Sequence, residues 1–222
     1  MTLMLSTETL SPFSEPGFRK LAAARLHAAP AGLGMAESAA PSPSDFDLDP
    51  NLPPIPLPPA TAAAVLVPVV ARDALTVLLT QRTEHLPSHA GQIAFPGGKV
   101  DVSDSGPLGA ALREAEEEIG LARRHIEPLG YLDTYRTRTG FSVVPVVALV
   151  DTSFTLVLNA GDVADAFEVP LSFLMNAANH RRDTRQWKGA TRTFHAMPFG
   201  DRYIWGATAG MLKNMHARLF GP

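Results

Sequence analysis

The sequence predicts an α/β (α+β) protein, an α/β/α sandwich built around a mixed β-sheet. Three observations point there. Two apolar runs are joined by a tight turn, one strongly amphipathic helix pattern follows them, and further short apolar runs come after that helix and before a terminal helix. Strands on both sides of a central helix in the chain leave each face of the sheet for a helix to cover.

The elements follow in order. Residues 16–28 (PGFRKLAAARLHA) place Phe18, Leu21, Ala22 and Leu26 on one helical face, which predicts a short amphipathic helix within an N-terminal arm, residues 1–28. Residues 29–59 are rich in Ala and Pro (Pro41, Pro43, Pro50, Pro53, Pro54, Pro56, Pro58, Pro59), so backbone donors are missing and helix continuation is blocked. An extended linker is expected there, either a surface tail or a segment docked on the fold or in a dimer contact. The main domain is read as residues 60–222. Thr61–Ala71 and Leu75–Gln81, turned at Arg72-Asp73, read as a hairpin, and Gly91–Phe95 as a short strand stopped by Pro96-Gly97-Gly98. Pro107 suits a first helical turn, Leu108, Leu112, Ala115 and Ile119 make an apolar stripe, and Gly120 suits a C-terminal stop. Strands are expected at Ile126–Asp133, Ser142–Val150 and Phe154–Leu158. After these come a helix from near Pro170, strands at Thr191–Pro198 and Arg202–Ile204, and a final helix from Trp205 to about Leu219.

Composition narrows the function. A formal net charge of -3 offers no basic field to gather nucleic acid or an anionic membrane. With no cysteine there is no disulfide, thiolate nucleophile or thiolate metal site, so a bound metal must take oxygen or imidazole ligands, which favours hard ions such as Mg²⁺ or Mn²⁺. The first residues lack a basic stretch followed by a long apolar run, and nowhere do about 18 apolar residues run uninterrupted. The reading is cytoplasmic, as a monomer or homodimer.

The most informative segment is Arg113-Glu114-Ala115-Glu116-Glu117-Glu118-Ile119-Gly120-Leu121. On a helix Glu114, Glu117 and Glu118 share one face, while Glu116 points elsewhere. Like charges at this spacing repel by a few tenths of a kcal/mol per pair, a cost that a solvated acidic face tolerates. Just upstream, Phe95-Pro96-Gly97-Gly98-Lys99-Val100-Asp101 lets the backbone turn sharply beside that face and brings Asp101 and Asp104 near it. Loop and helix together have the oxygen ligands that a hard cation needs, with room left for phosphate oxygens and a water.

These residues resemble the Nudix box, G-x5-E-x7-R-E-U-x-E-E-x-G-U with U aliphatic. Gly98 opens it, Arg113-Glu114-Ala115 matches R-E-U, Glu117-Glu118 the paired glutamates, and Gly120-Leu121 closes it. Asp104 stands where the first glutamate belongs, and eight residues rather than seven precede Arg113. The run Leu78–Gly98 (LLTQRTEHLPSHAGQIAFPGG) resembles the L-L-T-x-R-x-x-x-L-x-x-H-x-G-Q-x-x-F-P-G-G motif of the coenzyme A diphosphatase branch, where the extra residue before R-E is also usual. The resemblance covers about residues 60–219. It implies a Nudix fold, residues 60–222 as a Nudix hydrolase domain, and metal-dependent hydrolysis of coenzyme A or acyl-CoA to 3′,5′-ADP and (acyl-)4′-phosphopantetheine. Alternatives are another nucleoside-diphosphate-linked substrate, such as NADH or ADP-ribose, or a catalytically idle nucleotide-sensing module.

The resemblance implies Glu114, Glu117 and Glu118 as metal ligands, with Glu117 and Glu118 acting in catalysis and Arg113 orienting a glutamate or balancing the acidic patch. Arg82, His89, Gly97, Gly98 and Lys99 are candidate substrate contacts. Arg82 at a strand end and a lone His89 also have ordinary readings, as an exposed arginine and a structural hydrogen-bonding histidine. Asp162 and Asp165 lie in a polar run that suits a general base or a cap. Tyr203 and Trp205 suit either adenine stacking or the core.

Overall fold

The computed structural model describes residues 10–30, 43–48, 60–86, 89–187 and 190–221. Most of the expected linker, with Pro87 and Ser88 of the upstream motif, lies outside the described residues.

The main sheet is mixed. β1 (Thr61–Val70) and β7 (Phe141–Val150) run parallel along their full lengths, from Thr61 opposite Phe141 to Val70 opposite Val150. The other pairings in this sheet are antiparallel and involve β2 (Thr76–Arg82), β3 (Ile93–Ala94), β4 (Gly97–Lys99), β5 (Ile126–Tyr131), β6 (Tyr135–Arg136) and β8 (Val163–Pro170). β1 and β2 pair only at Val69–Val77 and Val70–Thr76 and then fork. The fork is filled by the segment 93–99, with β3 on β2, β4 on β1, and the Leu66 amide donating to the Pro96 carbonyl at 2.8 Å. The expected strand Gly91–Phe95 is thus only its centre, and the glycines read as a strand stop themselves form β4.

Alternation along β1 divides the core. Ala64, Leu66 and Val70, with Leu78, Val146 and Val150, meet Ala110, Ala111, Ala115 and Ile119 of α2 (Pro107–Ile119). On the other face Val67, Val69, Val77 and Val147 meet Leu212, Met215 and Leu219 of α4 (Ala207–Phe220), and Phe18 of α1 (Glu15–Arg25). That is the expected helix–sheet–helix arrangement. Pro107 opens α2, and Gly120 ends it in the left-handed region at φ 68°, both as the sequence implies. Among the described residues no helix is long and apolar enough to cross a membrane.

Several expectations are corrected. Residues 154–158 form no strand: Phe154, Leu156 and Leu158 pack against the α2 layer, but the Val157 and Asn159 amides donate to the Ile119 and Glu118 carbonyls at 2.9 Å each. Period-two burial there reports one covered side, while the hydrogen bonds go to a helix end. The strand lies later, at β8, which pairs with β2 from Thr76–Pro170 to Arg82–Val163. The helix expected near Pro170 is a single turn, α3 (Leu171–Leu174). β9 (Arg181–Trp187), which carries almost no apolar signal, joins β10 (Ala190–Phe199) and β11 (Arg202–Trp205) in a separate three-stranded sheet. Trp205 closes β11 rather than opening α4.

The N-terminal helix is capped by the Ser14 hydroxyl, which accepts from the Gly17 amide at 3.3 Å, and it stops at Arg25 because His27 pairs with Tyr131. Arg19 donates to Glu127 at 2.8 Å, and Asp133 accepts from Arg218 at 2.6 and 2.9 Å and lies 3.0 Å from His27 Nε2. Burial alone would raise the Asp133 carboxyl, but hydrogen bonds from Arg218 and His27 outweigh it and hold it at about 2, below its ordinary 3.8. Its contribution is present above the unfolded value and is lost as pH falls toward the folded one. Asp133→Asn is therefore expected to lower stability at pH 7 by about 2 kcal/mol in urea titrations and to remove the stability loss between about pH 4 and 2.

Within the expected linker, residues 43–48 dock on the fold. Asp45 accepts from the Tyr135 hydroxyl and the Arg138 amide, each at 2.9 Å, and the Arg138 guanidinium lies 4.7 Å from the centre of the Phe46 ring.

Candidate functional site

The fork in the sheet positions the site. Gly97 and Gly98 cross it with the α2 carboxylates directly above. A Cβ on Gly98 would lie 2.4 Å from Glu114 Oε1, and one on Gly97 would lie 2.5 Å from the Ala64 carbonyl oxygen and 2.6 Å from Val65 Cα. Glycine at 97 lets β4 sit against the β1 backbone, and glycine at 98 leaves room beside it for the Glu114 carboxylate. The Gly97 amide donates to Glu118 Oε2 at 3.2 Å, and Arg82, at the end of β2 where the register with β8 shifts, brings Nη1 to 3.9 Å from Glu118 Oε1.

Electrostatics distinguish the three glutamates. Glu118 is buried, 8% exposed, and burial pushes its carboxyl from 4.5 up to about 7. The Gly97 amide opposes that shift, Glu114 adds to it, Arg82 opposes it and Asp162 adds to it. Glu114 is raised as well, by burial first, with the Arg113 hydrogen bond opposing. Glu117 sits on the rim with its side chain 57% exposed, 3.0 Å from Arg113. Glu116 points away toward Arg123 at 3.8 Å.

Arg113 ties the loop to the helix. It grips Asp104 through two nitrogens at 2.9 and 3.0 Å, donates to Glu114 at 2.9 Å and Glu117 at 3.0 Å, and reaches the Lys99 carbonyl at 3.2 Å. The guanidinium, helped by the Asp101 amide, holds the Asp104 carboxyl down at about 2. Asp104, at the position of the box's first acid, is thereby spent on the clamp.

The sequence model of the NUDIX domain matches residues 60–188. The uncharacterized Nudix hydrolase NudL of Yersinia enterocolitica is 39% identical over 153 residues, covering 69% of this chain and 78% of that protein. The chain belongs to the Nudix family. NudL of Yersinia pestis (strain Pestoides F) is 36% identical over 153 residues, covering 69% of this chain and 77% of that protein. The NUDIX domain of Shewanella oneidensis NrtR, solved with ADP ribose, is 21% identical with a TM-score of 0.46, covering 77% of this chain and 95% of that one. As a Nudix hydrolase the protein acts on a pyrophosphate bond in nucleoside-diphosphate-linked substrates, and Nudix enzymes generally use divalent metal ions.

The residues present fit such an ion in kind. Glu114 and Glu118 are inward-facing carboxylates whose charged forms are penalised by burial, which is what a hard cation relieves. Their carboxylates lie against a Gly97–Gly98 cradle that any Cβ would fill. Among the described residues no three acids or histidines are already gathered as a ready cation site, and Arg113 holds Glu117 at the rim.

Other expected contacts fall differently around this Nudix centre. His89 is exposed, takes a left-handed backbone at φ 58°, and has Nδ1 2.7 Å from the Gln92 amide oxygen, a contact within its own loop. Lys99 is engaged through its carbonyl, which accepts from Arg113, and its side chain is exposed. Asp162 acts on Glu118 through space, while Asp165 is held by Arg202 of β11, so geometry separates two acids that the sequence left equivalent. The sequence reading missed Arg202, which also reaches Gln81 and lies over the Phe167 ring at 4.4 Å. Its only signal was its place in a strand edged by aromatics.

Proposed function

We propose that the protein hydrolyses the diphosphate of coenzyme A or acyl-CoA to 3′,5′-ADP and (acyl-)4′-phosphopantetheine, using Mg²⁺ or Mn²⁺ held by Glu114, Glu117 and Glu118. The observation that carries the reading is the run Leu78–Gly98, which resembles the coenzyme A diphosphatase motif. This run forms β2, the following loop, β3 and the turn into β4, and so supplies the Arg82 and Gly97 groups that touch Glu118.

When bound, the divalent ion neutralises diphosphate charge and lowers the pKa of a coordinated water. The chain's own residues do the rest. Glu118, oriented by the Gly97 amide, and Glu114, oriented by Arg113, present their oxygens at the glycine turn. Glu117 at the rim is free to turn from Arg113 toward the site. Arg82, with its Nε buried and without a hydrogen-bond partner among the described residues, has donors for a substrate phosphate oxygen. Asp162, near Glu118, is the better-placed acid to accept a proton from the attacking water.

A panel of coenzyme A, acetyl-CoA, NADH and ADP-ribose, incubated with Mg²⁺ or Mn²⁺ and analysed by chromatography, tests the substrate. The expected result is 3′,5′-ADP from the two CoA substrates, with kcat/KM roughly 10-fold or more above the others, since a site built around an extra substrate group discriminates against analogues that lack it. Preferential cleavage of NADH or ADP-ribose refutes the coenzyme A assignment. Nucleotide binding without cleavage of any substrate favours the idle module.

A further inference from the structure

The small sheet has a buried face and an open one. Met197 and Ile204 are fully buried on its inner side. The opposite side carries Phe194 of β10 and Tyr203 and Trp205 of β11, with Asp183 and Arg185 of β9, around a shallow, open depression. The Phe194 and Trp205 rings lie 5.1 Å apart at 59°, and Tyr203 is 41% exposed. The strand register puts Phe194 opposite Asp183, Arg192 opposite Arg185, and Arg181 across Ala196 from Trp205, so three arginines surround the aromatic rings. Asp183 accepts a hydrogen bond from the Tyr203 hydroxyl, and none of the three arginines forms an ion pair among the described residues. Arg192 Nη1 is buried without a hydrogen-bond partner among them.

Aromatic faces ringed by uncommitted guanidinium groups suit one ligand chemistry, a nucleobase with a phosphate monoester. We propose that this face of the β9–β11 sheet binds the adenosine 3′-phosphate half of the substrate, a reading that rests on coenzyme A or acyl-CoA being that substrate. The adenine ring stacks at Phe194 and Trp205, and the arginines receive the 3′-phosphate. The sheet that carries the platform is anchored to the strands of the main sheet. Arg202 leaves β11 on the inner face, opposite Tyr203 and Trp205, and is bonded to Gln81 of β2. The Thr208 hydroxyl, just past β11, fixes the same sheet to the Ile93 carbonyl at 3.0 Å. Both contacts hold the β9–β11 sheet to β2 and β3, the strands that lead to Arg82 and Gly97.

Isothermal titration of the full chain with 3′,5′-ADP and with AMP, without metal, tests the assignment in wild type, Phe194→Ala and Arg185→Ala. Circular dichroism checks that both variants remain folded; both changes lie on the outer face. Phe194→Ala is expected to weaken both ligands roughly 10-fold or more, the scale of a lost base–aromatic stack. Arg185→Ala is expected to weaken 3′,5′-ADP selectively. Unchanged affinities in Phe194→Ala, or no binding of either ligand to wild type, overturn the platform. If Phe194→Ala weakens AMP but 3′,5′-ADP binds wild type no better than AMP does, the base site stands and the 3′-phosphate assignment falls. Coenzyme A cleavage, read in the substrate panel, is scored separately from both.

Discussion

Glu118→Gln is expected to lower kcat by roughly 10³-fold or more while making the metal-free protein more stable at pH 8. The loss follows from removing an anionic oxygen at the centre where cation and diphosphate meet, an electrostatic contribution of several kcal/mol to the transition state, with each 1.36 kcal/mol worth about tenfold. The gain follows from burial. In the folded chain Glu118 keeps its proton up to about pH 7, whereas its ordinary value is 4.5. Folding thus takes up a proton between those values, and stability falls as pH rises through that window. Above it the penalty is fully present, about 3 kcal/mol. Glutamine is uncharged and keeps an oxygen for the Gly97 amide. Urea titrations in chelator at pH 5 and pH 8 check this: wild type is expected to lose stability across the interval and the variant to hold level. A variant less stable than wild type at pH 8 would show that Glu118 is held by stabilising contacts, not strained in wait for a cation.

The paired glycines are expected to fail in different ways. An alanine at Gly98 meets the end of the Glu114 side chain, which can swing away, so Gly98→Ala should fold with little loss while activity drops roughly 10²-fold or more as a carboxylate leaves the site. An alanine at Gly97 meets the Ala64 carbonyl and Val65 Cα, which are backbone atoms of the central strand and cannot move without breaking the β1–β4 pairing. Gly97→Ala is therefore expected to cost about 1–3 kcal/mol of stability, the range of overpacked cores. Thermal melts and steady-state kinetics on the two variants separate these outcomes. Equal loss of stability in both would mean that Glu114 is fixed in place.

This division between movable carboxylates and fixed backbone explains what was legible in the sequence. The α2 stripe, its proline start and its glycine stop are local signals, as is the apolar alternation of β1, β2 and β7, and these place the glutamate face. β8 and β9 are made by pairing more than by burial: β8 mixes acids with its apolar residues, and β9 reads Arg-Arg-Asp-Thr-Arg-Gln-Trp. No period marks such strands, because their stabilising contacts come from a neighbour distant in sequence. The 154–158 run shows the converse, with period-two burial but no strand partner. At the site, the motif named Arg113, Glu114 and Glu118, but only the fold shows Asp104 committed to Arg113 and Asp165 to Arg202, with Asp162 acting on Glu118 through space.

The most direct test of the account is Mn²⁺ affinity at pH 8, read from the electron paramagnetic resonance of free Mn²⁺, in wild type, Glu118→Gln and Asp165→Asn. The carboxylate helix as the metal centre predicts that Glu118→Gln weakens Mn²⁺ binding by at least about tenfold, while Asp165→Asn, altering an acid already held by Arg202, leaves it unchanged. Equal Mn²⁺ affinity in wild type and Glu118→Gln would contradict it.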